Sequence, residues 1–298
     1  MAFDISALGS YVQNNGKEYA LKTIASSKTA KALIASKNVQ YGVKGTAAIL
    51  KMNSDVSILD ASSCGARTGG STFNLSNKNI VVKPLAVEDN ICPQTLWNTF
   101  YADSLSKGRS PQEEVLPEFA GALMDERAMK IAAVNEQLIW QGDTSLTGTT
   151  NLKRMDGILK SVTGSTTATG STMVAKLQNF YLNNSVDIRN QEDFVIAVGE
   201  DTYNSYTIAL ATANIYKPVE DTTLFGTTAK LFPCAGLNGT SKAVGIRWSN
   251  IQLGMDGETD VDKAELRYSI ETKQWYLDFA YGLGVSVIWA EEAKYATV

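Results

Sequence analysis

The stretch "WYLDFAYGLGVSVIW" constrains this chain more than any other. Trp275, Leu277, Phe279, Tyr281, Leu283, Val285, Val287 and Trp289 hold period two over fifteen residues. Successive side chains of a strand point to opposite faces, so this run predicts one very long β-strand. Strands most often run about 5–6 residues. The preceding "AELRYSI", with Leu266, Tyr268 and Ile270 alternating, predicts its neighbour across the turn near "ETKQ". The glycines of "YGLG", Tyr281 to Gly284, fall inside the strand. There they predict a bend or a close backbone approach rather than a phosphate cradle.

The second strong signal is helical. In "SPQEEVLPEFAGALMDERAMKIAAVNEQLIWQGD", Ser110 reads as an N-cap, Pro111 as the first helical residue and Glu113 as the partner in a capping box. Glu114 and Glu118 suit the positive end of the helix dipole. Leu116, Phe119, Leu123, Ile131, Val134 and Leu138 recur at steps of three and four, with Arg127 in the gap, and Gly142 reads as the residue after the helix. About 30 residues at 1.5 Å each span roughly 45 Å, longer than a compact domain requires.

Residues 46–91 read as two long extended legs. "TAAILKMNSDVSILDASSC" and "FNLSNKNIVVKPLAVEDNI" flank the glycine-rich "GARTGGST". An isolated two-stranded hairpin of that length is marginal in water. It either folds onto its own domain or reaches over another subunit. Between the long helix and the long strand, "TMVAKLQNFYLNNS" predicts an amphipathic helix. "DFVIAVGEDTYNSYTIALATAN" predicts a buried strand (Phe194 to Val198) and then a helix, with further strands in "KLFPCAGL" and "SKAVGIRWSNIQLGMD". The predicted class is α+β.

Catalytic signals are missing. The chain has no histidine, which removes Ser-His-Asp, Cys-His and His-ligated zinc chemistry together. Neither a P-loop nor a Rossmann glycine motif is present. Asp125 with Glu126, and Glu291 with Glu292, are the carboxylate pairs a glycosidase would need, but solvated faces account for both. Asp256, Glu258, Asp260 and Asp262 depart from calcium-loop spacing and read as an acidic surface loop. Trp97, Trp140, Trp248, Trp275 and Trp289 are scattered, as core or interface packing would leave them. Cys64, Cys92 and Cys234 show no metal spacing and read as buried, reduced thiols of a cytosolic setting. No metal and no cofactor are expected.

Charged residues make up only 19% of the chain, against a usual share of about a quarter. The net charge is −4, so the whole molecule does not attract nucleic acid. Residues 1–45 hold six lysines against Asp4 and Glu18, giving +4, which leaves −4 − 4 = −8 for the rest. A basic arm carrying Lys17, Lys22, Lys28 and Lys31 suits either nucleic-acid contact or a solvated amphipathic segment, and its apolar stripe is too thin to fold alone. No apolar run is long enough to span a membrane, and "MAFDISALGS" does not read as a secretory signal.

Taken in order, arm, long hairpin, long helix, α/β unit and long final strands resemble the major capsid proteins of tailed phages, the Hong Kong 97-like fold. "NKNIVVKPLAVEDNICPQTLWNTF", the helix ending "LIWQGD", the following "MDGILK", "FVIAVGEDTYNSYTIAL" and the last strands carry the resemblance over roughly residues 46–298. It implies an N-terminal arm at 1–45 and an E-loop with flanking strands at 46–91. A peripheral domain at 92–165 would include a spine helix at 110–142. An axial domain at 166–258 and peripheral-domain strands at 259–298 would complete the chain. It implies no enzyme but a virion component, assembled in the host cytoplasm as hexamers and pentamers of a shell. The implied partners are portal, scaffolding or decoration proteins and packaged DNA touched by the basic arm. With about 45 residues ahead of the hairpin, it implies a separate scaffolding protein or none. Gly65, Ala66, Arg67, Thr68, Gly69 and Gly70 would meet the neighbouring subunit. An encapsulin shell, a tail-tube or decoration protein, and an enzyme using Asp125 or Glu126 are the competing readings.

Overall fold

A computed structural model describes residues 27–58, 70–92, 117–218, 221–256, 263–269, 271, 272 and 274–298. The first described element is helix α1 (Lys28–Ala35), capped by the Ser27 hydroxyl, which accepts from the Ala30 amide. Its Ala30 and Leu33 are fully buried, and β1 (Val39–Gln40) follows. Residues 27–40 therefore pack into the body of their own chain, and this part of the expected arm is core rather than extension. Strands β2 (Thr46–Asp55), β3 (Thr72–Val81) and β4 (Lys83–Ile91) come next, then the long helix α2 (Pro117–Gln141). Ser110, Pro111 and Glu113, the expected start of that helix, lie outside the described residues.

The large sheet is built around β11 (Gln274–Val287). Along one edge β11 pairs antiparallel with β4, from Trp275 opposite Ile91 to Leu283 opposite Lys83. Along the other it pairs with β10 (Lys263–Ser269) and then with β9 (Ile251–Met255). β1 closes the sheet, parallel to β9. The predicted alternation holds in the first half of β11, where Leu277 and Phe279 are buried and their neighbours half-buried. From Tyr281 to Val287 both faces are buried, because β3 crosses behind the strand. A Cβ on Gly284 would come within 2.3 Å of the Val81 carbonyl oxygen. The expected close approach is met there, and the approaching backbone belongs to the hairpin.

Helix α2 shares one core with this sheet. Ile131, Leu138, Ile139 and Trp140 join Leu277, Phe279, Tyr281, Leu283 and Val287. The Tyr281 hydroxyl donates to Asn135 Oδ1 at 2.7 Å. The helix ends where Gly142 meets Gly157: the Gly157 amide donates to the Gly142 carbonyl at 2.8 Å. A Cβ on Gly142 would lie 2.5 Å from the Met155 carbonyl oxygen. Glycine is required there by close approach.

After the short α3 (Ile158–Ser161) and β5 (Gly164–Thr167) comes α4 (Met173–Asn183), the predicted amphipathic helix, and then α5 (Val186–Arg189). Next are β6 (Phe194–Gly199), α6 (Glu200–Thr212) and β7 (Lys230–Cys234), a parallel βαβ unit, then β8 (Lys242–Arg247). Every residue of β6 is buried. Val195 and Ala197 face the α2 core, while Phe194, Ile196 and Val198 face a second core with Leu177, Phe180, Tyr206 and Leu210. A near-continuous apolar run is what a strand covered on both faces requires.

The sheets divide the chain differently from the expected segments. β12 (Lys294–Thr297) leaves the final strands and inserts between β5 and β8 in the second sheet. β9, expected with the α/β unit, lies in the β11 sheet. The hairpin proper ends at Val81, so the expected excursion over 46–91 stops ten residues early, and β4 belongs to the large sheet. Two tight crossovers make these exchanges. Asn250 staples them, donating to the Trp289 carbonyl at 2.8 Å and accepting from the Trp289 amide at 2.6 Å. Alternation identifies a strand and its faces; it does not name the partner across the ladder.

Candidate assembly interface

Hairpin β2–β3 pairs Thr46 with Val81 at its base and Asp55 with Thr72 at its outer end. Directly opposed residues share a face. One face carries Ala48, Leu50, Met52, Phe73, Leu75 and Val81; the other carries Ile49, Lys51, Lys78 and Ile80. The second face turns to the body at the base, where Ile80 is fully buried and Val82 nearly so. The Val82 amide donates to Gly45 O at 2.7 Å, and the Ser286 hydroxyl donates to Asn79 O at 3.3 Å.

The first face is left in water. Leu50 is 60% exposed, Met52 57%, Phe73 63%, Leu75 57% and Val81 44%. Scattered apolar residues on a surface are ordinary, but Leu50, Met52, Phe73 and Leu75 are direct or diagonal neighbours on one face of a narrow ribbon, and such a patch is the usual mark of an interaction site. Full burial of one such side chain is worth about 1.5–3 kcal/mol.

Halfway along β2 the other face is tied to the body. Lys51 Nζ sits 2.7 Å from Glu291 Oε1 and 3.9 Å from the centroid of the Trp289 ring. The Lys51 hydrogen bond, helped by the charge of Lys78, holds the Glu291 carboxyl below the usual carboxylate range. Glu292 lies 3.8 Å from Arg247. These two glutamates therefore make ion pairs and form no acid–base couple.

Of the tip residues picked from sequence, Gly65, Ala66, Arg67, Thr68 and Gly69 lie outside the described residues, and Gly70 is exposed. Lys17 and Lys22 also lie outside them. Lys28 and Lys31 are exposed on α1, with Lys28 Nζ 5.4 Å from the Phe232 ring centroid. The exposed apolar face was missed, although its signal is in the sequence. Phe73 and Leu75 have odd numbers and Ile80 and Val82 even ones, so the apolar parity flips along one strand. Leu50 and Met52 flip likewise against Ile49. A strand whose parity flips buries one face near the body and offers the other beyond it.

Two clefts open on the described surface. One, of about 630 Å³, lies between α2 and β4 and is lined by Leu85, Val87, Arg127, Lys130, Val134 and Tyr281, among others. Asp125 and Glu126 do not line it. Arg127, the break in the apolar stripe of α2, is paired 3.2 Å from Asp89. Burial pushes the Tyr281 hydroxyl up to about 12, which keeps it a donor. The other, of about 400 Å³, is lined by Tyr203, Tyr206, Tyr216, Lys217 and Asp221. Lys217 is spent on the Thr223 carbonyl and on Asp221. Burial pushes the Cys234 thiol well up, as an inert core thiol requires. Cys92 is half-buried rather than buried, and Cys64 lies outside the described residues. Among the described residues no cluster could hold a metal ion, and no helix is long and apolar enough to cross a membrane. Asp256 is buried; Glu258, Asp260 and Asp262 lie outside the described residues.

No protein-family model and no curated protein sequence matches the chain. Solved structures do. A chain of the capsid of Myoviridae phage XM1 superposes with a TM-score of 0.57 at 13% identity, covering 86% of each chain. A chain of the satellite phage P4 procapsid gives 0.57 at 9% identity over 90% of each. A capsid chain of the empty GTA particle gives 0.53 at 12% identity, over 87% of this chain and 86% of that one. The chain has the Hong Kong 97-like capsid fold. The likeness extends over 86–90% of the chain, so it concerns the fold as a whole and not one motif. At 9–13% identity the likeness lies in the order and packing of elements, not in shared residues.

Proposed function

We propose that this chain is the major capsid subunit of a tailed double-stranded DNA phage. Copies of it would join as hexamers and pentamers of an icosahedral or prolate shell around the genome. One observation carries the reading: the β2–β3 hairpin presents Leu50, Met52, Phe73, Leu75 and Val81 to water, each 44–63% exposed. A two-stranded ribbon is marginal alone, and a second copy of the chain is the partner that is always present at high local concentration in a shell. In the terms of the fold, we read the hairpin as the E-loop and α2 as the spine helix. Residues 65–70 would then meet the neighbouring subunit, and the basic residues of the arm, Lys28 and Lys31 among them, would meet packaged DNA through salt-dependent phosphate contact. On this reading the protein works by packing, not catalysis.

The test is direct. Purified protein is imaged by negative stain, and Leu75→Asp is made in parallel. Closed shells from the wild type and unassembled, folded subunits from the variant are expected. Tubes, or shells from the variant, would overturn the reading. Nuclease-resistant DNA inside particles recovered from an infected host separates a genome shell from a cellular compartment, which would hold protein cargo instead.

A further inference from the structure

We propose that Lys51, Trp289 and Glu291 form a latch that fixes the angle of the hairpin before a second copy docks on it. The purpose assigned to the latch rests on the docking reading above; its existence does not.

The receiving side is rigid. Both backbone polar groups of Trp289 are bonded to the buried Asn250 side chain, and the backbone carbonyl of Asn250 accepts from the Ile288 amide at 2.9 Å. These bonds fix the backbone of Trp289 on the tight turn between β11 and β12, two residues before Glu291. The hairpin side is one long side chain. Lys51 lies near the middle of β2, on the face that Ile49 shares, and its side chain is only 21% exposed although the strands around it are mostly open to water. Lysine is rarely covered without a reason. Here the ammonium lies over an aromatic face and against a carboxylate at once. Lys78, opposite Ile49 on β3, adds a second positive charge to the same face.

Among the described residues, the other bonds that tie the hairpin to the body lie near its base. A ribbon free to swing must lose that freedom when it docks, and fixing it beforehand lowers the ordering cost of association. The latch is also salt-sensitive. Glu291 is 63% exposed, so its ion pair is screened at high ionic strength, leaving the cation–π contact. The structure thereby links ionic strength to how firmly the docking face is presented.

The experiment uses the full-length, unassembled chain. Amide hydrogen exchange of residues 46–55 is compared among wild type, Lys51→Met, which keeps the aliphatic stem, and Glu291→Gln. Exchange about three- to tenfold faster is expected in the variants, the factor that a cation–π contact with an exposed ion pair supports. Amides of 274–287 should be unchanged. The double variant should show less than the product of the single effects, because both break one contact. Wild-type exchange in 1 M salt should move toward the Glu291→Gln level. Equal exchange in wild type and both single variants overturns the latch. The protein concentration needed for assembly should rise in Lys51→Met by a similar factor. A loosened hairpin with an unchanged threshold overturns its role in docking. Leu75→Asp keeps the two readings apart: shells from that variant end the docking reading while the exchange result stands, and loss of shells with wild-type exchange supports both.

Discussion

Strands β3 and β11 run for 10 and 14 residues, and both carry large apolar side chains at alternate positions. In β11, Leu277, Phe279, Tyr281, Leu283 and Val287 are buried with α2 in one core. In β3, Phe73 and Leu75 stand in water. The local chemistry is the same and the outcome opposite. What differs is supply: α2 and the end of β3 cover β11, and among the described hairpin residues only Ile49 and Ile80 are buried, near the base. A long strand is therefore no evidence of a large core. It is evidence that something long must lie on it, from the same chain or from another.

Truncation measures that difference. Phe279→Ala removes a buried ring from the shared core, and a loss of about 3–5 kcal/mol is expected in urea unfolding of the unassembled subunit. Phe73→Ala, the same change on the hairpin, should leave that stability within about 0.5 kcal/mol, since exposed positions contribute little. If the hairpin variant unfolds as readily as the core variant, the face is already covered by its own chain, and the contrast between the strands is lost.

Glu136 sharpens the comparison from the buried side. It is a polar residue of α2 that is almost fully covered. Its carboxylate accepts from the Thr29 amide at 3.0 Å and from the Thr29 hydroxyl, while that hydroxyl accepts from Trp140 Nε1 at 2.8 Å. This chain of bonds fastens the start of α1 to α2. Glu136→Ala leaves a helix-terminal amide unpaired, and about 1.5–3 kcal/mol should be lost, the value of bonds to a charged acceptor. Proteolysis should then cut near residues 27–35 sooner than in the hairpin base. Retained stability would mean that α1 is held by Ala30 and Leu33 alone.

These elements were unequally legible. The period of β11 is set by its own residues, so its length, its glycine crossing and the strand before it could be read directly. The helix end at Gly142 and the β6–α6 order were equally local. The partners of β9 and β12 were not, because a ladder joins residues far apart in sequence and any apolar strand of matching length would serve. The docking face failed for a related reason. Reading residues 73–91 as one extended leg passes over the change of parity that separates Phe73 and Leu75 from Ile80 and Val82. The latch could not be seen at all, since Lys51 and Glu291 are 240 residues apart.

The smallest effect expected is a pH dependence at the end of α2. Lys160 donates to Asp143 at 2.7 Å and to Asp156 at 2.8 Å, clipping the loop that follows the helix. The Lys160 bond, with Ser145 in support, holds Asp143 down at about 2, below its ordinary 3.8. A depressed carboxyl contributes stability above its unfolded value, and that contribution is lost as pH falls through the folded one. The window therefore runs from about pH 4 down to about pH 2. Urea midpoints of wild type should fall more steeply through that window than those of Lys160→Met. Since Asp143 is open to solvent, salt should shrink the difference. Lys51→Met should also flatten the slope a little, because Lys51 holds the Glu291 carboxyl low, and its effect should add to that of Lys160→Met, because the hairpin latch and this clip share no residue. Parallel slopes for wild type and Lys160→Met would mean that the clip adds nothing in solution, leaving the Gly142–Gly157 contact to end the helix by itself.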